Sequence, residues 1–372
     1  MAILSQPTKS IRIASTHPMQ IRNGYTFLTS TPNKEETSQA VLSILIPNYN
    51  GKGILEEAIK SIINQDFPHP IEIIVHDDHS TDGSPLIILN EYPMVTLLQS
   101  SENVGFCRAN NRMAEYGKGR YFLLLNNDAA LLADALWIML KTCQAQSPEG
   151  IVSVPQFRAD TGELVDYGYN LDPFLNPIPQ MHPDSQIAMV IGACLWLPSN
   201  LWRKLEGFPE WFQTNAEDMY LCLAAQFCGH PVQSSAFSGY KHWIGKTLGG
   251  GKSDDTNRLN TTLKRRALSE RNKNFVMLCC YPSIFILTIF PLHALLLTLE
   301  GLLLSIIKKD FRILSQIYLP SLVECWKNKA NITAKRKLIH HKKAKNGKLK
   351  GFKLTSQKIK LLIKHGVPSI KK

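Results

Sequence analysis

From residue 41 onward, short apolar runs alternate with segments whose apolar positions recur at helical spacing. Val41-Leu42-Ser43-Ile44-Leu45-Ile46 is the first run, stopped by Pro47. GILEEAIKSIINQ, residues 53–65, follows with Ile54, Ala58 and Ile62 on one helical face. IEIIVHDD at 71–78 predicts a second strand, and SPLIILNEY after it a second helix. MVTLLQS, GFCRANNRMAEY and YFLLLNND continue the alternation. Strands that are apolar throughout, rather than at every second residue, mark a parallel sheet covered on both faces. The pattern therefore predicts an α/β chain, a mostly parallel sheet flanked by helices.

Polar residues gather where these strands end. Asn48 and Asn50 follow the first, Asp77 and Asp78 the second, and Asn126, Asn127 and Asp128 the fourth. Each group alone would serve as turn chemistry. Ligands of parallel sheets bind beyond the carboxyl ends of the strands, so three acceptor-rich ends on one edge predict a shared crevice.

Charge changes the picture once it is located. The chain of 372 residues carries a formal +12, and 44% of it is apolar, enough for a substantial core. Residues 327–372 hold 16 Lys and Arg and no acid, so 12 − 16 leaves about −4 for everything before them. The basicity belongs to a tail, and the body is mildly acidic. Residues 1–40, rich in Ser, Thr, Pro and Asn, predict a loosely attached extension. The eight cysteines form no CxxC pair, and the opening MAILSQPTKSIRIASTHPMQ has no apolar h-region. Both predict a reducing, cytoplasmic setting.

The blocks SILIPNYNG, IEIIVHDDHSTDGS, ENVGFCRANN, YFLLLNNDA, GACLWLPSNLWRKLEGFPEWF and AEDMYLCLAAQFCGHPV occur in an order and spacing that resembles family 2 glycosyltransferases of the GT-A fold, rhamnosyltransferase-like branch. The likeness covers roughly residues 41–245. It implies an inverting, metal-dependent transfer of a sugar from a UDP- or dTDP-sugar, dTDP-rhamnose among them, to a hydroxyl of a glycan or lipid-linked glycan in cell-envelope polysaccharide synthesis. Pro47, Asn50, Asp77, Asp78, Arg108, Asn126, Asn127 and Asp128 would bind the nucleotide sugar, with Asp77 accepting from the imide of the base. Asp128 would hold Mn2+ or Mg2+ on the diphosphate, helped by His242. Asn126 stands where the usual DxD has its first Asp, which removes one formal charge. Asp218, with Glu217 beside it in the first turn of a predicted helix, would be the general base. Gly192, Ala193 and Trp211 would border the acceptor.

Phe275–Ile307 carries only one formal charge, Glu300. As one helix it would span about 50 Å against a hydrocarbon core of about 30 Å. A single crossing would export the basic tail against the positive-inside tendency, and Pro282 and Pro291 predict pieces too short to cross. A monotopic attachment is expected, with the tail on an anionic membrane surface at the cytoplasmic face. The expected divisions are an extension at 1–40, a GT-A domain at 41–270, apolar membrane-associated helices at 271–310 and a basic tail at 311–372.

Other readings compete. A nucleic-acid-binding protein gripping phosphates through the tail leaves the strand-end acids unexplained, and no specific nucleic acid is expected. A dinucleotide oxidoreductase needs GxGxxG where the chain has Pro47-Asn48-Tyr49-Asn50-Gly51. GGGKS lacks the spacing of a phosphate-binding loop and reads as a Gly-rich lid. A degenerate transferase kept as a scaffold, and a homodimer, stay open.

Overall fold

The computed structural model describes residues 20–22, 25–29, 40–183, 185–243 and 260–371. The GGGKS segment lies outside them. Two short strands come first, β1 (Gln20–Arg22) and β2 (Tyr25–Thr29). Strand and helix then alternate as β3 (Leu42–Asn48), α1 (Leu55–Ile63), β4 (Ile71–Asp77), α2 (Ser84–Glu91), β5 (Val95–Ser100), α3 (Phe106–Tyr116) and β6 (Tyr121–Leu125). Shorter pieces follow: β7 (Ala129–Leu131), α4 (Ala135–Gln144), β8 (Ile151–Ser153), β9 (Gln156–Arg158), β10 (Leu164–Asp166), β11 (Tyr169–Leu171) and β12 (Pro177–Pro179). Next are β13 (Cys194–Pro198), α5 (Ser199–Leu205), α6 (Glu217–Phe227), β14 (Val232–Ser234) and β15 (Tyr240–His242). The C-terminal part holds β16 (Asn260–Thr262), α7 (Leu263–Cys280), α8 (Ser283–Lys308), α9 (Leu319–Lys327), α10 (Lys329–His341), α11 (Gln357–His365) and β17 (Ser369–Lys371).

The main sheet has the order β1-β2-β5-β4-β3-β6-β13-β8-β14. Its centre, β5-β4-β3-β6, is parallel, while β13 runs antiparallel between β6 and β8. Ile44, Leu45 and Ile46 of β3 and Leu123 and Leu125 of β6 are fully buried; each contributes about 1.5–3 kcal/mol by leaving water. The successive strands β4 and β5 lie on one side of β3, and β6 lies on the other. The strand order therefore reverses between β3 and β6, where a crevice opens in such folds. β6 pairs with β3 only as far as Leu45, whereas β4 follows it to Asn48. Pro47, which has no N–H to give, thus falls where the β6 side is already unpaired.

β7, which follows β6 after a gap of three residues, belongs to a second sheet of order β10-β9-β15-β7. Within the region expected to be an extension, β2 pairs with β5 over Tyr25–Thr29.

The C-terminal region differs from expectation in three respects. Phe275–Cys280, counted above with the membrane segment, are core residues of α7, five of the six fully buried. Pro291 does not break the apolar run: α8 continues through it for 26 residues. Pro291 and Leu287, whose carbonyl loses its helical donor there, both lie on the exposed side, so the loss leaves no group buried unpaired. The basic tail is folded against the domain. Arg336 closes the end of α7 by donating to the carbonyls of Leu278 (3.1 Å) and Tyr281 (2.6 Å), and Lys342 donates to that of Lys204 (2.6 Å). Gly351–Lys353 runs beside β11, where Leu171 N–H donates to Gly351 O at 2.9 Å.

Candidate active site

The crevice is built from side chains at the carboxyl ends of β3, β4 and β6. Asn48 closes β3 and is almost fully buried. Its Nδ2 donates to Asp77 Oδ1 at 3.0 Å, and its Oδ1 accepts from Asn127 Nδ2 at 3.0 Å. One carboxamide thus bridges all three strand ends. Gly51 passes directly over this bridge, where a Cβ would collide with Asn48 Oδ1 and Asn127 Nδ2. Asn50, held in the left-handed region at φ +50°, accepts from Thr81 N–H at 2.8 Å and so laces the β3 loop to the β4 loop.

Asp77 sits lower than the sequence suggests. It has no exposed surface, and its second oxygen accepts from Ser80 N–H at 3.1 Å. It orients Asn48. Asp78 accepts from the N–H groups of Val104 (2.6 Å) and Gly105 (2.9 Å), which fixes the loop into α3. Burial pushes its carboxyl above the ordinary range, against the pull of those two donors.

The loop after β6 carries the next group. Asp128 Oδ1 lies 3.2 Å from His242 Nε2, because β15 pairs with β7 in a register that puts His242 opposite Ala129. Trp243 N–H adds a bond to Asp128 O at 3.0 Å. Two polar atoms here, Asn126 Oδ1 and His242 Nδ1, are buried with no protein partner. Such atoms are costly unless something else meets them. Among the described residues no cluster of three His, Cys, Asp or Glu side chains is placed to hold a metal. Two protein ligands, one carboxylate and one imidazole, nonetheless suit a divalent ion whose other positions go to phosphate oxygens and water.

The third group enters from α6. Glu217 is buried, and its Oε2 has no protein partner. Asp218 is half-buried and accepts from Gly192 N–H at 3.1 Å and from Met219 N–H at 2.7 Å. The neighbouring Ala193 carbonyl accepts from Asn126 N–H at 3.0 Å. A short chain of contacts therefore links Asp218 to the Asn126–Asp128 loop. Burial, and then the negative charge of Asp218, push the Glu217 carboxyl well up; burial also raises that of Asp218. The loop presenting them is strained, with Gln213, Asn215 and Ala216 all at positive φ. It is held by Asn272 of α7, whose Nδ2 donates to the carbonyls of Phe212 (2.9 Å), Thr214 (2.9 Å) and Asn215 (2.7 Å).

Two candidate residues stand away from the crevice. Arg108 is half-exposed on α3 and pairs with Glu210 at 2.9 Å, so its charge is engaged on the helix surface. Trp211 packs on Phe212 and Phe275 and lines a separate groove of about 390 Å³ with Glu206, Asn331 and Lys335. Asn48, Asn272 and the pair Asp166–Tyr169 were not singled out as site residues from sequence. Asn48 had a signal in its place at a strand end, but the partners of Asn272 lie 57–60 residues away.

Residues 43–201 match the Glycosyl transferase family 2 model. This segment is a family 2 glycosyltransferase domain. Similar proteins include a GalNAc(5)-diNAcBac-PP-undecaprenol beta-1,3-glucosyltransferase of Campylobacter jejuni, 33% identical over 27% of this chain and 33% of that one. A poly(ribitol-phosphate) beta-glucosyltransferase of Bacillus spizizenii is 37% identical over 26% of this chain and 16% of its own. The chain thus spans a third or less of the length of either relative. Among solved structures, that of GalNAc-T7 with UDP, GalNAc and Mn2+ superposes with a TM-score of 0.52 at 13% identity, over 66% of this chain and 48% of that one. The family 2 domain accordingly has the GT-A fold.

Proposed function

We propose that the chain transfers a sugar from a UDP- or dTDP-sugar to a hydroxyl of a glycan or lipid-linked glycan, with inversion at the anomeric carbon. The observation that carries this reading is the convergence of the Asp128–His242 pair and Asp218 on one crevice through Ala193 and Gly192. Asp128 and His242 would hold a divalent metal, which when bound would offset the negative charge on the departing nucleoside diphosphate. The loops carrying Pro47, Asn50 and Asp78 border the space for the nucleoside. Asp218, freer than Glu217 and steadied by two N–H donors, takes the proton from the acceptor hydroxyl as that oxygen attacks from the face opposite the phosphate. Burial raises its affinity for a proton, which suits a base. Glu217 keeps the proton of the pair, so the base is not opposed by a second full charge.

Attachment to a membrane is supported by α8, a helix long and apolar enough to cross a bilayer. It is docked along its side, however. Its Glu300 meets Arg266 and Lys358 at 2.6 Å each, and His293 lies 2.9 Å from Asn274. Leu287, Leu295, Leu299, Leu303 and Ile307 face away from the protein, each at least 45% exposed. A helix held on one side and apolar on the other fits an in-plane, monotopic position at the cytoplasmic surface, where nucleotide sugars are available. The named substrate of the Campylobacter relative, an undecaprenol-linked glycan, is compatible with that position.

A screen of nucleotide sugars for Mn2+-dependent binding and slow hydrolysis tests the reading. One or more UDP- or dTDP-sugars should bind only with metal present. Indifference to every nucleotide sugar, with and without metal, would overturn it.

A further inference from the structure

The small sheet that carries His242 holds another buried carboxylate, Asp166. After a bulge between Leu164 and Asp166, Asp166 pairs with Gln156 of β9, which is in register with Tyr240 of β15. Side chains alternate along a strand, so Tyr240 and His242 share a face. Asp166, Gln156, Tyr240 and His242 thus form one polar surface of the small sheet, and Tyr240 Oη donates to Gln156 Oε1 at 2.8 Å.

Asp166 is 4% exposed. Its Oδ1 accepts from Gly168 N–H at 2.8 Å and its Oδ2 from Tyr169 Oη at 2.6 Å. Both donors are neutral. Burial pushes its carboxyl up to about 6, the two hydrogen bonds and nearby His242 acting the other way. The Tyr169 phenol is raised by burial and by the charges of Asp166 and Asp218.

The turn at Gly168 does not require a carboxylate. An asparagine oxygen would accept from Gly168 N–H equally well, without the cost of burying a charge. A carboxylate has about four acceptor positions, and two are used here. The remaining capacity suits hydroxyl donors, which bind an ionised oxygen more strongly than a neutral one. The sugar of a donor is bonded to the phosphate that Asp128 and His242 would hold, and its anomeric carbon must lie open to a hydroxyl deprotonated by Asp218. On that reading the ring would lie against the face of the small sheet that carries His242 and Asp166.

We propose that Asp166, held by Tyr169, receives a hydroxyl of the transferred sugar and determines which donor is accepted. This rests on the function proposed above and adds the group that reads the sugar.

The test uses the full chain with Mn2+, titrated with UDP against UDP-glucose and with dTDP against dTDP-rhamnose. In Asp166→Asn the turn is retained, so affinity for the nucleoside diphosphate should stay within about two-fold of wild type. Affinity for the bound sugar nucleotide should fall about ten-fold or more, the scale of a lost charge-assisted bond. Tyr169→Phe should move in the same direction by less. Equal weakening of diphosphate and sugar nucleotide would reduce Asp166 to a turn residue and overturn the proposal. An unchanged difference between the two ligands would overturn it as well. Failure of the wild-type chain to bind any nucleoside diphosphate would instead remove the transferase reading, and this proposal with it.

Discussion

Asp128 and His242, 114 positions apart in the chain, face each other at 3.2 Å. The contact depends on the three-residue pairing of β7 with β15, which brings the imidazole over the loop after β6. If the pair holds a metal, His242→Ala should weaken Mn2+-dependent nucleotide binding by roughly 10–100-fold, the usual effect of disturbing a metal site. Titration with and without EDTA checks this. Once metal is removed, variant and wild type should bind alike.

Glu217 and Asp218 are neighbours with unequal surroundings. Glu217 is the more deeply buried: burial and the charge of Asp218 push its carboxyl well up, and burial raises that of Asp218. Glu217→Gln puts a neutral group of the same shape there and should keep kcat within about ten-fold of wild type. Asp218→Asn should lower kcat by about 10²–10⁴, the range for losing a general base. The acid limb of the wild-type rate profile should lie above the free Asp value of about 3.9. Activity should fall as pH falls through that limb, because the base must be ionised to act.

Asn272 touches neither of these carboxylates, yet it fastens the strained backbone that leads into them. Asn272→Ala removes the side-chain donor from the carbonyls of Thr214 and Asn215, while that of Phe212 keeps Arg271 and the Thr214 N–H. It should cost about 1–3 kcal/mol in denaturant unfolding. The more telling measurement is kinetic: kcat should drop several-fold, about as expected when a positioning contact is lost, while nucleotide affinity stays unchanged.

The exposed side of α8 separates two kinds of membrane attachment. If its leucines enter the bilayer interface, protein pelleted with membranes should be released by detergent and little by 1 M salt, on the order of ten times the ionic strength that screens surface charge. Leu295→Glu with Leu299→Glu should move the protein to the supernatant. Full release of the unchanged protein by salt would leave the basic residues as the sole attachment.

The central strands and their helices were legible because each apolar run is long enough to carry its own period. Val41–Ile46, Ile71–Asp78 and Tyr121–Leu125 match β3, β4 and β6 to within two residues at each end. The second sheet was not legible, since strands of three residues have no periodicity to read. Pro291 misled because a proline on an exposed helix face strands no buried carbonyl. The tail misled for a related reason: its lysines and arginines read as free charge, whereas Arg336 and Lys342 cap carbonyls of the domain. Within the site, chemistry-bearing residues next to strand ends stood out. Asn272 and Asp166 did not, because their importance comes from partners and burial that only the fold supplies.

The account's central claim is that donor binding and proton removal belong to separate groups around one crevice. The most direct measurement compares Mn2+-dependent nucleotide-sugar binding and turnover in Asp128→Ala and Asp218→Asn. Asp128→Ala should lose both. Asp218→Asn should bind the donor like wild type and fail to turn over. Normal turnover by both variants would contradict the claim.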